Sequence, residues 1–139
     1  MIETKEKITL LRDRVAAGFP SPAEGDIEEP LNLHRYIVRH PPSTFFVRAY
    51  GESMIDAGIF SGDILVVDRS LEAVDKCIVI AVLDGEFTVK RLSLRKGKIT
   101  LRSDNSSFPD FSITEIDNFT IWGVVTHSIR NHFYPEPVS

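Results

Sequence analysis

Cysteine is almost missing from this sequence, since Cys77 is the single one among 139 residues. One thiol excludes an internal disulfide framework and a zinc site built from cysteines. The chain also lacks any run of about 18 apolar residues that could form a transmembrane helix. Its first seven residues lack the apolar segment of a signal peptide. These absences predict a small cytoplasmic protein without a membrane partner.

An excess of positive charge is missing as well. The 16 lysines and arginines are outnumbered by 20 aspartates and glutamates, which gives a net charge of −4. A general nucleic-acid binder usually carries a basic surface, so direct sequence-specific DNA binding is not expected. The hydrophobic share of 42% and the charged share of 26% are typical of a folded globular chain and exclude a disordered one.

Several motifs of enzyme chemistry are absent too. The sequence has no His-Glu-x-x-His pair for a metal, no Gly-x-Ser-x-Gly elbow and no glycine-rich phosphate loop. The histidines are therefore interpreted as surface or structural residues, and neither a metal nor a cofactor is expected. They are His34, His40, His127 and His132.

The N-terminal part differs in pattern from the rest. Residues 3–17 have helical character, because Ile8, Leu11 and Val15 recur at helical spacing among charged residues. Gly18 and nearby prolines end that pattern, and an acidic stretch follows. We predict an N-terminal arm over residues 1–17, an extended linker over 18–30 and a folded domain over 31–139, whose first residues, 31–40, form a short helical or irregular segment.

The remaining pattern is that of a β protein. Short apolar and β-branched runs alternate with turn signals, and the Asp84-Gly85 pair is typical of a two-residue hairpin turn. The predicted strands cover residues 44–50, 63–68, 76–83, 86–92, 99–102 and 119–128. Six short strands predict a mainly β fold, a small twisted and partly barrel-like antiparallel sheet.

Two residues stand out as candidates for chemistry. Ser53 follows a strand at the turn Gly51-Glu52-Ser53-Met54, where a hydroxyl and backbone N–H groups can face a substrate, although serine beside glycine is common in loops. Lys90 lies in a predicted strand on the face that also carries Leu92. It is either an exposed lysine that discourages edge pairing or a desolvated amine whose lowered pKa lets it act as a base. A neutral lysine within reach of a serine hydroxyl can take its proton.

These segments together resemble a known family. Residues 51–59, 62–63 and 84–92 resemble the LexA/UmuD self-cleaving serine peptidases, most nearly the UmuD-type SOS mutagenesis proteins. The resemblance implies that Ser53 is the nucleophile and Lys90 the general base. It also implies self-cleavage between Ala17 and Gly18, where small side chains can enter a narrow cleft.

Further expectations follow from that resemblance. The backbone N–H groups of Glu52, Ser53 and Met54 are candidates for the oxyanion donors. The resemblance implies a homodimer that serves as accessory subunit of an error-prone, UmuC-like translesion polymerase in the SOS response to DNA damage. It also implies that RecA on single-stranded DNA stimulates the cleavage.

Two alternatives remain open at this stage. One is a UmuD-like transcriptional regulator that self-cleavage inactivates, and the other is a dimeric β module that has kept the fold without the catalysis. A LexA-type repressor is disfavoured, because 17 residues before Gly18 are too few for a helix-turn-helix domain.

Overall fold

A computed structural model of the protein describes residues 7–11, 14–20, 22 and 28–133. The chain divides into two units, Met1–Ile37 and Val38–Ser139. Residues 1–6 and 134–139, which belong to the predicted arm and to the C-terminal end, lie outside the described part, as does most of the acidic stretch.

The first unit contains a small antiparallel ribbon. Strand β1 (Ile8–Leu11) pairs with β2 (Glu28–Leu31), with Ile8 opposite Leu31. The expected helix over residues 3–17 is therefore wrong for Ile8–Leu11. A short isolated helix is marginal in water, and pairing with β2 gives this apolar run backbone partners instead. Helix α1 (Leu33–Ile37) confirms the short helix expected within residues 31–40.

The second unit is built on one seven-stranded antiparallel sheet in the order β3-β4-β9-β5-β6-β7-β8. The strands that the sequence predicts are all present, some with shifted ends. They are β3 (Thr44–Arg48), β4 (Ile64–Asp68), β5 (Ile78–Leu83), β6 (Glu86–Arg95), β7 (Lys98–Arg102) and β9 (Phe119–Ile129). Strand β8 (Phe111–Ser112) was not predicted, because two residues are too short to show any periodicity.

The tight turns follow from the sequence. Asp84 and Gly85 both have positive φ, 49° and 83°, as a type I′ hairpin requires. Lys96 and Gly97 repeat that geometry between β6 and β7, with φ of 51° and 73°. Two 3-10 helices, Pro41–Ser43 and Ile55–Ala57, flank β3.

The core lies on both faces of the sheet. Alternate residues of neighbouring strands separate into two buried clusters, one around Leu65, Val67 and Ile80 and the other around Val79 and Leu92. The sheet is bulged where β9 meets β4 and β5, and bulges increase twist. It stays open, with β3 and β8 at its edges. The predicted fold class, mainly β with a twisted and partly barrel-like antiparallel sheet, is confirmed.

Candidate active site

Ser53 lies on a turn between β3 and the 3-10 helix Ile55–Ala57, and its side chain is half-buried. The next residue, Met54, is buried in the core, and its carbonyl accepts hydrogen bonds from the amides of Ala57 and Ile59. On the other side, the Gly51 amide donates to Ser61 Oγ at 3.1 Å. The turn is thus anchored on both sides of the serine, which limits the positions that its hydroxyl can take.

Lys90 lies in β6, where it pairs with Val79 of β5. Its side chain is half-buried, and burial lowers the pKa of its amine from the ordinary value of 10.5. Lys90 is therefore not an exposed lysine on an edge strand, because its side chain is half-buried and β6 lies between β5 and β7.

The structure brings these two side chains together. Lys90 Nζ donates a hydrogen bond to Ser53 Oγ across 2.9 Å. That distance lies within the range over which a general base takes the proton of a hydroxyl nucleophile. In its neutral form the same nitrogen offers a lone pair to the serine O–H. The arrangement can thus generate a nucleophilic oxygen without a histidine.

A cleft of about 450 Å³ opens beside the serine. Its lining is mostly apolar and includes Val47, Met54, Phe87 and Trp122 together with Ser53. A second cleft of about 370 Å³ is lined by Lys90 and shares Phe87 and Thr88 with the first. The two clefts therefore adjoin at β6, next to the Ser53–Lys90 pair.

The three candidate oxyanion donors belong to the same turn. In the part of the chain that the structure describes, none of the amides of Glu52, Ser53 and Met54 donates a hydrogen bond to the protein. Preorganised N–H groups beside a nucleophile are suited to receive a developing negative charge.

The expected cleavage site lies in the first unit, whereas Ser53 and Lys90 lie in the second. Ala17 and Gly18 are exposed and lie in neither a helix nor a strand. Gly18 has a φ of +146°, a backbone conformation that side chains rarely adopt. An exposed segment of this kind is available to a peptidase cleft.

Sequence reasoning missed the residues that support the turn from outside. Asn105 donates to the Glu52 carbonyl and the Asp104 carbonyl accepts from the Asp56 amide. No local pattern could have indicated them, because they lie about 50 residues from the turn, with 53 positions between Asn105 and Glu52.

No group of three His, Cys, Asp or Glu side chains within the described ranges could hold a metal ion. His40 Nδ1 lies 2.6 Å from Asp68 Oδ2. Across those same ranges no helix is long and apolar enough to cross a membrane.

Comparison with known proteins shows which family this chain belongs to. A family model described as Peptidase S24-like matches residues 9–126. Because that match covers most of the chain, the protein belongs to the S24-like peptidase family, and the resemblance found in the sequence is confirmed.

Three named relatives are similar to this chain over most of its length. Protein MucA of Salmonella typhimurium is 52% identical over 120 residues, which cover 86% of this chain and 82% of that protein. Protein ImpA of Shigella flexneri is 50% identical over 121 residues, 87% of this chain and 82% of its own. The LexA repressor of Paracidovorax citrulli is 36% identical over 118 residues, which cover 85% of this chain but only 52% of the repressor.

Proposed function

We propose that this protein is a self-cleaving serine peptidase in which Lys90 activates Ser53 to cut the Ala17–Gly18 bond. The contact of 2.9 Å between Lys90 Nζ and Ser53 Oγ, at the wall of an apolar cleft, carries the proposal. Membership of the S24-like peptidase family supports it independently.

The reaction begins with the neutral Lys90 amine, which takes the proton of the Ser53 hydroxyl as Oγ attacks the Ala17 carbonyl carbon. The resulting oxyanion is stabilised by backbone N–H groups of the turn, drawn from Glu52, Ser53 and Met54. When the intermediate collapses, the C–N bond breaks and the Gly18 nitrogen leaves with the proton held by Lys90.

The acyl-enzyme is an ester that joins Ser53 Oγ to the Ala17 carbonyl. Lys90, neutral again, takes a proton from a water molecule that attacks this ester. The ester C–O bond breaks, Ser53 regains its proton from Lys90, and residues 1–17 are released. The processed chain comprises residues 18–139, in which 18–30 act as a linker to the domain over 31–139.

We further propose that this cleavage prepares the protein for a role in damage-induced mutagenesis. The processed chain forms a homodimer in the cytoplasm and acts as accessory subunit of a UmuC-like error-prone polymerase in translesion synthesis. RecA on single-stranded DNA promotes the cleavage by favouring the conformation in which the Ala17–Gly18 segment occupies the cleft. Similarity to MucA and ImpA supports this assignment.

Intact mass spectrometry after incubation with RecA, single-stranded DNA and a nucleotide tests the proposal. The unmodified chain should lose the mass of residues 1–17. Ser53→Ala and Lys90→Ala should remain intact, whereas the exposed-site controls Ser112→Ala and Lys98→Ala should cleave normally. Cleavage of Ser53→Ala or Lys90→Ala at the unmodified rate would exclude the dyad. A cleavage rate of the unmodified chain at neutral pH that RecA does not raise would exclude the proposed role of RecA.

A further inference from the structure

A distant loop holds the turn that carries Ser53. Asn105 Nδ2 donates to the Glu52 carbonyl at 2.9 Å, one residue before the serine. Just beyond the serine, the Asp104 amide contacts Met54 Sδ at 3.3 Å. The Asp104 carbonyl accepts from the Asp56 amide at 2.8 Å. Both sides of the serine are thus attached to two consecutive residues of one loop.

The same loop is attached to the strand of the lysine. Arg91, which follows Lys90 in β6, donates through Nε to Asp104 Oδ2 at 2.7 Å. Its Nη1 also donates to the Lys76 carbonyl at 2.7 Å, which fixes the guanidinium. Asp104 and Asn105 therefore connect the neighbour of the base with the neighbours of the nucleophile.

The Asn105 amide has one orientation that satisfies both of its ends. Its Oδ1 accepts a hydrogen bond from the Ser107 amide at 3.0 Å. The Nδ2 group is then the end that faces the Glu52 carbonyl, which is an acceptor. The side chain is held by its own loop before it reaches the turn.

We propose that Asn105 is a positioning residue that aims the Ser53 N–H at the oxyanion of the cleavage reaction, a role that rests on the proposed function. The Glu52 carbonyl and the Ser53 N–H belong to one rigid trans peptide plane and point in opposite directions. Fixing the carbonyl therefore fixes the N–H. Asn105 binds the carbonyl, and the N–H on the opposite side keeps no protein acceptor among the described residues.

Two substitutions separate this role from support of the loop. Asn105→Ala removes both hydrogen bonds of the side chain. Asn105→Asp keeps an oxygen that can accept from the Ser107 amide but replaces the donor that faces Glu52 by a second oxygen. If Asn105 only shaped its own loop, Asn105→Asp would cleave like the unmodified chain.

We expect the first-order rate of self-cleavage in mildly alkaline buffer to fall about 10-fold to 100-fold in both variants, because a small misplacement at the reacting centre is costly. In Asn105→Ala, which adds no charge, the midpoint of the pH–rate profile should stay at the unmodified value, since Lys90 is untouched. Asn131→Ala is the matched control. Like Asn105, Asn131 accepts through Oδ1 from the amide two residues later and donates through Nδ2 to a carbonyl, here that of Phe133. Removing the Asn131 side chain should leave the cleavage rate unchanged.

Three results would overturn the positioning role. They are an unmodified cleavage rate in Asn105→Asp, a shifted pH midpoint in Asn105→Ala, and loss of the cooperative melting transition in both variants, which would assign Asn105 to folding. Ser53→Ala is run in parallel. If it cleaves, the proposed function fails together with the positioning role, whereas failure confined to the Asn105 variants leaves the Ser53–Lys90 proposal intact.

Discussion

Lys90 Nζ and Ser53 Oγ are 2.9 Å apart, although 37 positions separate the two residues in the sequence. The turn after β3 fixes the serine, and pairing of β6 with β5 fixes the lysine. Burial lowers the pKa of the lysine, so less alkaline solution suffices to give the neutral amine that the proposed reaction requires.

Self-cleavage should accelerate as the pH rises and level off below pH 10.5, the ordinary pKa of lysine. The reason is that only the neutral amine accepts the serine proton, and burial moves its pKa downward. The measurement is the first-order rate of loss of residues 1–17, followed by intact mass from neutral to alkaline pH. Lys98→Ala, at an exposed lysine, should keep the same profile. A rate independent of pH would contradict the role of Lys90 as base.

A bulky residue at the proposed cleavage site should stop the cut without unfolding the protein. Ala17 is exposed, so Ala17→Phe removes no buried contact, but its ring would not fit where a small side chain enters a narrow cleft. We expect at least about a 100-fold loss of cleavage rate, the cost of a displaced reacting bond, with an unchanged melting temperature. Lys7→Phe places the same ring on another exposed residue of the first unit and should cleave normally. Unimpaired cleavage of Ala17→Phe at the same bond would exclude a size requirement there.

The strands could be predicted because each carries its signal locally. The run before Asp84-Gly85 and the run after it form β5 and β6, and the two turn residues have the positive φ that the pair indicates. Alternation along β6 predicts that Lys90 and Leu92 lie on one face of the sheet. This is confirmed, because Lys90 pairs with Val79, and Val79 belongs to the same buried cluster as Leu92.

Prediction from the sequence fails where a local structure depends on a residue that is distant in the chain. Helical spacing in residues 3–17 gave no sign that Ile8–Leu11 would pair with Glu28–Leu31. In the same way, nothing near Asn105 indicates that its side chain reaches the Glu52 carbonyl. The roles of the serine and the lysine are predicted only from the combined resemblance of several segments. Neither residue alone distinguishes a catalytic site from an ordinary loop serine and an ordinary strand lysine.

A side chain at Gly123 should destabilise the protein, because Gly123 lies in β9 directly against the core of the sheet. A Cβ built there would approach Val67 Cγ1 to 2.5 Å, and Val67 is fully buried and β-branched, so it cannot move aside easily. Gly123→Ala should lower the free energy of unfolding by about 1–3 kcal/mol, the usual cost of overpacking. Urea unfolding measures the change, and Thr120→Ala at an exposed position of β9 is the control. Equal stability of Gly123→Ala and the unmodified protein would contradict the close contact.

Asp63, the residue just before β4, is almost completely buried, with 2% of its surface exposed. Arg130 donates to its carboxylate through Nε and Nη2, each at 2.8 Å, and the Phe60 amide donates at 2.9 Å. The hydrogen bonds from Arg130 lower the pKa of Asp63 below its ordinary value of 3.8, against the opposing effect of burial.

This lowered pKa predicts how stability depends on acid. A carboxyl group whose pKa is lower in the folded state contributes stability that is fully present above its unfolded pKa, here 3.8, and is lost as the pH falls through the folded pKa. Asp63→Asn should therefore melt several degrees below the unmodified protein at neutral pH, and the gap should narrow below pH 3.8. Melting curves at neutral and acidic pH measure it. Asp110→Asn, at a half-exposed carboxylate 3.7 Å from Arg102, is the control and should melt nearly like the unmodified protein. A gap between Asp63→Asn and the unmodified protein that is the same at every pH would show that packing, and not the charge of Asp63, supplies the stability.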